Sequence, residues 1–187
     1  MQVLIDRKQM AMTREIIIRQ ETAADIAAVQ ALLIDAFGED KEAKLVAALR
    51  RNPDVFVPQL SLVAVTAAQV VGHIFFSKVK IVDQAAHEVV SLALAPMAVA
   101  PGFQKHGIGR RLMVHGLAAA RDNGFRSVIV LGHENYYPRF GFVPTSRWHI
   151  QPPFQVPAHV YLGLELEEGS LQHVSGTVQY PAEFEVV

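Results

Sequence analysis

Pro96-Met-Ala-Val-Ala-Pro-Gly-Phe-Gln-Lys-His-Gly-Ile-Gly109 is the stretch whose reading decides the fold. The apolar run His87 to Val99 reads as a buried strand, and Gly107 to Asp122 reads as the best helix in the chain. Ile108, Leu112, Gly116 and Ala119 form one stripe of that helix; Met113, Leu117 and Ala120 widen it, and Asn123-Gly124 closes it. A strand thus runs through a glycine-bearing loop into a helix N-terminus. Such a start has unpaired backbone N–H groups and a partial positive charge, and glycines let a bulky anion reach the backbone. This arrangement suits phosphate or pyrophosphate. Two known phosphate loops do not fit. Gly102 and Gly107 stand at P-loop spacing, but Ile108-Gly109 follows where Lys and Ser or Thr are needed. The dinucleotide fingerprint needs a glycine where Leu112 stands.

Outward from this loop, the hydrophobic period switches between 2 and 3.6. Glu15 to Arg19 reads as a short buried strand. Thr22 and Asp25 resemble a capping box before a helix carrying Ile26, Val29, Leu33 and Phe37, with Gly38 at its end. A second helix is expected from Asp40 to Arg50, stopped by Asn52-Pro53. Three consecutive strands follow: Leu60 to Thr66, Val70 to Ile81 and His87 to Val99. Pro96 cannot donate to a ladder, so a bulge or edge defect is expected near residues 95–97. After the long helix, Ser127 to Leu131 is a strand and Asn135 to Phe140 a helical turn or two. Phe142-Val143 opens a short strand, and Pro144 to Pro157 is a loop with four prolines. His159 to Glu167 is a final strand, with Val160, Leu162, Leu164 and Leu166 on one side. Residues 1–13 read as an extension, 14–167 as one domain and 168–187 as a tail with some strand character. Three consecutive strands, then a strong helix, then a strand, indicate a mixed α/β sheet.

The 187 residues include no cysteine, 51% are hydrophobic and 19% charged. That length suits one domain with a full core. The absence of Cys excludes a thiol nucleophile, a CxxC pair and a Cys zinc site. The histidines show neither H-x-H nor HExxH spacing, so no metal is expected. With a net charge of −1, nothing global points to nucleic acid or an anionic membrane. No segment reaches the roughly 18 apolar residues of a bilayer span, and no signal peptide is evident, so the expectation is a cytoplasmic protein.

Gln104-Lys-His-Gly-Ile-Gly109 resembles the Q/R-x-x-G-x-G/A acyl-CoA pyrophosphate loop of the GNAT superfamily of N-acetyltransferases. Met97-Ala-Val99 looks like the end of that family's fourth strand, and Tyr137-Pro-Arg-Phe-Gly-Phe142 is similar to its Y-x-x-x-G-F segment. The run Leu131 to Phe142 looks specifically like the YhbS-like bacterial branch, and the resemblance covers about residues 14–167. It implies an α/β (α+β) domain. The central sheet would be mixed and mostly antiparallel, with six to seven strands splayed between strands 4 and 5 and about four helices. It also implies an acetyl-CoA co-substrate. The pyrophosphate would lie on backbone N–H groups from Gln104 to Gly109, through Lys105, His106, Gly107 and Ile108. Lys105, His106 and Arg110 would add charge there. The pantetheine arm would run along Met97, Ala98 and Val99, with strand-like hydrogen bonds to Met97 and Val99. A backbone N–H near Val99 would polarise the thioester carbonyl. Tyr137 matches the family's general acid, with Tyr136 as its competitor.

The base is where the sequence departs from the best-known members. Some carry a carboxylate six residues before the Val99 position, where this chain has Ala93. Glu88 lies further back and reads as a solvated strand-start charge. His133, after the fifth strand, is the leading candidate, with His73 and Ser91 behind it. The acceptor pocket would be built from residues 22–51 and 144–158. Its loop carries Trp148 and Phe154 and no carboxylate cluster of the kind that invites polyamines.

The expected activity is acetyl transfer to a primary amine by direct attack in a ternary complex. The acceptor is a small molecule or a peptide, and no nucleic acid or membrane partner is expected. Two alternatives stand beside it: a catalytically silent acyl-CoA-binding sensor or interaction module on the same fold, and a nucleotide-binding domain. The tail is placed either to cover an edge strand or to pair with a second copy as a homodimer.

Overall fold

Thr22 and Asp25 fix the chain's entry into its first helix. In the computed structural model, which describes residues 15–67 and 69–186, strand β1 spans Ile17–Gln20 and helix α1 spans Ile26–Phe37. The Thr22 N–H and hydroxyl both donate to Asp25 Oδ2, at 2.8 and 2.7 Å, and Arg19 forks onto the same carboxylate at 2.7 and 2.8 Å. The guanidinium holds the Asp25 carboxyl well below the usual carboxylate range. Gly38 ends α1 at φ +76°, a left-handed conformation, and its N–H donates to the Ile34 carbonyl. Helix α2, Lys41–Leu49, follows immediately. The extension expected over 1–13 lies outside the described residues.

Strands β2 (Phe56–Thr66), β3 (Gln69–Val82) and β4 (Glu88–Val99) form an antiparallel meander. Ile74 pairs with Met97 and Phe76 with Leu94, so two steps along β3 match three along β4. The extra residue falls at Ala95-Pro96, where the missing proline N–H leads one to expect it. Helix α3 (Ile108–Asp122) leads to β5 (Ser127–Leu131), and β8 is Tyr161–Glu165. The sheet order is β1-β2-β3-β4-β5-β8-β6, where β6 is Val143–Pro144. The fold class is the expected one: a mixed, mostly antiparallel sheet with helices on it.

The element counts differ from expectation, for local reasons. The sheet has nine strands among the described residues rather than six to seven: β6 is the short strand expected at Phe142-Val143, and β7 (Ile150–Gln151) and β9 (Gly176–Gln179) are the additions. Two-residue strands carry no readable period, and β7 interrupts the loop expected from Pro144 to Pro157. There are three α-helices among the described residues instead of about four. The turn expected at Asn135 to Phe140 is a short 3-10 segment, Tyr137–Phe140, with Pro138 at its start and Gly141 at φ +93° closing it. β1 is less buried than its β-branched composition suggests: it is an edge strand paired to β2 alone among the described residues, and Ile17 is 53% exposed. Within 168–187, β9 pairs with Lys80, Ile81 and Val82 of β3, past the reach of β2. The segment therefore covers an exposed strand edge of its own sheet.

Side chains alternate across the sheet. Ile74, Phe76, Leu92, Leu94 and Val128 face α3 and pack against its Leu112, Met113 and Leu117. Val63 and Phe75 face the other way, under Val29 and Leu33 of α1 and Val46 and Leu49 of α2. Ala93, Ile129 and Tyr161 lie on that same side beneath Leu171 and Val178 of the C-terminal segment. One sheet face therefore carries α3; the other carries α1, α2 and the chain's end.

A polar chain crosses the α1–α2 side. Arg50 pairs with Glu21, the Ser61 hydroxyl donates to Glu21, and His73 Nε2 lies 3.0 Å from Ser61 Oγ. Because the Ser61 proton goes to the carboxylate, Nε2 of His73 is the donor to Ser61. Its Nδ1 then keeps a bare lone pair, and that atom is buried without a partner among the described residues. Burial first, then the Arg50 charge, pushes the imidazole down to about 3. A folded-state value below the unfolded one means that the unfolded chain binds the extra proton. Stability from this group is present above the unfolded value near 6.5 and is lost as pH falls toward 3. Thermal melts should show Tm falling between pH 6.5 and 4.5, with a shallower slope in His73→Gln. An equal slope in both proteins counts against this assignment.

Candidate active site

β4 and β5 are parallel and pair at only two positions, Leu92 with Val128 and Ala93 with Ile129. Beyond them β4 continues to Val99 and β5 to Leu131 with no ladder between, and the bulge at Ala95-Pro96 lies just past the last rung. The strands splay and open a cleft of about 1610 Å³ that reaches both sides of the sheet. On the α3 side it is lined by Gln104, Lys105, Gly107, Gly109 and Arg110. On the other side it is lined by Phe37, Glu42, Leu45, Phe154 and the C-terminal segment.

The open edge of β4 turns backbone groups toward the split. Ala100 N–H donates to the Val71 carbonyl at 2.9 Å. In an antiparallel ladder, bonded and non-bonded residues alternate, so Ala98 also turns its backbone to β3. Met97 and Val99 then turn theirs into the split. Gln104 Nε2 donates to the Val99 carbonyl at 3.1 Å, on this open side. Ala98 thus lines the cleft, but its own N–H faces β3.

The loop delivers the helix start as the glycine spacing suggests. Lys105 sits at φ +64° and Gly107 at φ +78°, and α3 begins at Ile108. The Ile108 side chain is buried in the core, so only its backbone serves the cleft. Lys105 and Arg110 are exposed on the lining; His106 is exposed and outside it. Arg139 adds a cationic side chain at the rim that the sequence reading missed.

Two tyrosines stand over this edge. Tyr137 is 9% exposed, stacked edge-on between Tyr136 and Phe142. Burial, and secondarily Tyr136, pushes its hydroxyl up to about 12, so it keeps its proton at neutral pH. The Tyr136 hydroxyl lies 3.0 Å from where a Cβ on Gly109 would stand, close to Val99 and Met97. Burial raises its pKa too.

The base candidates separate clearly. His73 is fully buried in the Ser61–Glu21 chain, and Ser91 is bonded to Ser127 Oγ at 2.7 Å. Neither lines the cleft. Glu88 pairs with Lys80 at the surface. His133 is exposed on the lining, and its carbonyl accepts from the Tyr136 N–H. The carboxylate the sequence reading missed is Glu42. In the sequence it is one of several acids around Gly38-Glu-Asp-Lys-Glu42, and no spacing singles it out. Among the described residues, Glu42, Glu88 and His159 form no metal-binding group with their neighbours. No helix among the described residues is long and apolar enough to cross a membrane.

The comparisons agree with this geometry. The sequence model of the acetyltransferase (GNAT) domain matches residues 58–144. The uncharacterised N-acetyltransferase YhbS of Escherichia coli K12 is 32% identical over 169 residues, which is 90% of this chain and 98% of YhbS. A second protein of that organism, the uncharacterised N-acetyltransferase YjhQ, is 40% identical over 123 residues, 65% of this chain and 67% of YjhQ. The crystal structure of Escherichia coli YhbS in complex with CoA superposes with a TM-score of 0.84 at 29% identity, covering 92% of this chain and 93% of that one. A GNAT acetyltransferase from Brucella melitensis in complex with acetyl-CoA gives 0.74 at 32% identity, covering 91% and 99%. With a split sheet, a glycine loop at a helix start and near-full-length relatives, the chain belongs to the GNAT family of N-acetyltransferases.

Proposed function

We propose that the protein transfers an acetyl group from acetyl-CoA to a primary amine by direct attack in a ternary complex. The observation that carries this reading is the split between β4 and β5. It gives one cleft a helix-start anion site, an unpaired strand edge and a protonated tyrosine. Relatives of this chain bind CoA and acetyl-CoA. Acetyl-CoA supplies the activated acyl group. Backbone N–H groups from Gln104 to Gly109 hold its pyrophosphate, with Lys105 and Arg110 on the lining and His106 outside it. Met97 and Val99 take the pantetheine arm as an added strand, and the Val99 N–H faces the carbonyl oxygen where charge develops. Tyr137 returns a proton to the leaving sulfur. His133 stands exposed on the same lining as a candidate base. A chain without cysteine forms no acyl-cysteine intermediate, so direct transfer is the shortest route.

The test pairs binding with turnover. Calorimetry should show CoA binding, and thiol release from acetyl-CoA should rise on adding primary amines from a panel. Binding without turnover across the panel would replace this reading with the silent acyl-CoA sensor. Competition by ATP but not CoA would replace it with nucleotide binding.

A further inference from the structure

Glu42 stands in the first turn of α2 on the cleft lining, and its Oε2 is buried without a hydrogen-bond partner among the described residues. Glu42 as a whole is only half-buried and lines the cleft, so a donor entering there can reach its carboxylate with a turn of the side chain and pair an oxygen otherwise left unbonded. Around it the same end of the cleft is apolar and aromatic. Phe37 and Phe154 are 42% and 44% exposed, yet both face the cleft. Phe154 stacks on Tyr180 at 6.0 Å, and Tyr180 meets Phe184 at 4.8 Å. Asn52 Nδ2 donates to Glu183 Oε1 at 2.8 Å and pins this C-terminal wall to the end of α2. The wall lies across the sheet from the anion loop, so a ligand there meets the split from the opposite side.

We infer that this end is the acceptor subsite, that it takes a primary ammonium carried on an aromatic or apolar group, and that Glu42 binds and deprotonates that ammonium. The inference rests on the acetyltransferase reading above and deepens it. Glu42 removes one of the three ammonium protons and later releases it to solvent. The freed nitrogen lone pair forms the N–C bond to the thioester carbonyl. The C–S bond breaks with its electron pair on sulfur. The thiolate takes the Tyr137 proton, and the second nitrogen proton restores Tyr137 through water. The sum is ammonium plus acetyl-CoA giving amide, CoA thiol and one proton. Glu185 is the other carboxylate on this side of the lining and is exposed, whereas Glu42 stands among aromatic faces, which favour a cation with an apolar arm over a polycation.

The experiment uses the full chain with 2-phenylethylamine, its neutral isostere 2-phenylethanol, and spermidine. Calorimetry on protein saturated with CoA should detect the amine and not the alcohol, a readout that needs no turnover. With acetyl-CoA, kcat/KM for 2-phenylethylamine should exceed that for spermidine at least tenfold. Glu42→Gln should lower it about 100-fold, while CoA affinity and Tm stay unchanged. Phe154→Ala, at an exposed position, should raise KM for the aryl amine more than it lowers kcat. Binding of the alcohol as tightly as the amine overturns the inference. So does unchanged kcat/KM in Glu42→Gln, or loss in His133→Gln alone, and in these cases the acetyltransferase reading survives. Amine binding without turnover keeps the subsite and removes the transfer reading.

Discussion

Gly107→Glu should weaken CoA binding by at least about 10³-fold, roughly 4 kcal/mol, while the fold survives. Gly107 lies on the cleft lining at φ +78°, directly before the first residue of α3. Nothing lies within 4 Å of a Cβ built there, so the new side chain meets open cleft and not the core. Two effects follow. A side chain in the left-handed region costs about 1–2 kcal/mol of stability. A carboxylate at the helix start opposes a diphosphate that the helix end would otherwise attract, and like charges brought together cost several kcal/mol. Gly107→Ala separates them: it carries the backbone cost without the charge, so Tm drops in both variants and affinity collapses in one. Calorimetric titration with CoA beside thermal melts reads both quantities. Unchanged affinity in Gly107→Glu would remove the pyrophosphate from this loop.

The anion loop was legible because its signals are local. Glycine spacing, a strand before it and a helix stripe after it all sit within residues 87–122, and the helix the stripe describes begins at Ile108 as expected. The bulge at Ala95-Pro96 was legible for the same reason, since proline lacks a donor wherever it stands. Glu42 was not. Its neighbours in sequence are charged, and only the packing of α2 over the sheet closes water away from Oε2. The aromatic wall was hidden likewise. Tyr180 and Phe184 follow a strand of four residues whose partner, Lys80 to Val82, lies about a hundred positions earlier. Periodicity does not report such a pairing. β8 shows the limit within a single strand: alternation in Val160, Leu162, Leu164 and Leu166 suggests one buried side. Tyr161 to Leu164 are all buried instead, because both sheet faces are covered there.

These placements bear on how the two ends of the cleft divide the work. The cations on the lining, Lys105, Arg110 and Arg139, gather toward the loop and the tyrosines, whereas Glu42 and Glu185 stand on the α2 and C-terminal side. On the proposed function, an anionic donor and a cationic acceptor would be drawn to opposite openings of one split. That separation holds in a protein whose net charge is only −1. Near-neutrality of the whole chain conceals a polarised site.

Tyr137→Phe should lower kcat by about 10²- to 10⁴-fold, the usual range for loss of a positioned general acid, with CoA affinity unchanged. The substitution removes one oxygen and keeps the ring between Tyr136 and Phe142. A hydroxyl pushed up to about 12 stays protonated through the neutral range. The acid form is lost only as pH rises toward that value, so kcat of the parent protein should hold its level and fall at the alkaline extreme. The same limb should vanish in the Phe variant. Gly132→Ala tests the position of the ring independently. A Cβ on Gly132 would stand 2.1 Å from Tyr137 Cε2, an overlap that no rotation of the methyl relieves. The ring must move, with an overpacking cost of about 1–3 kcal/mol in Tm measurements. Displacing a catalytic group by about 1 Å costs on the order of 10²-fold in rate. Gly132→Ala should therefore lower kcat while keeping the tyrosine hydroxyl and its alkaline limb. Steady-state thiol release across pH compares the two variants with Tyr136→Phe. Full activity in Tyr137→Phe with loss in Tyr136→Phe would transfer the proton donor to the hydroxyl that stands beside Gly109 and Val99.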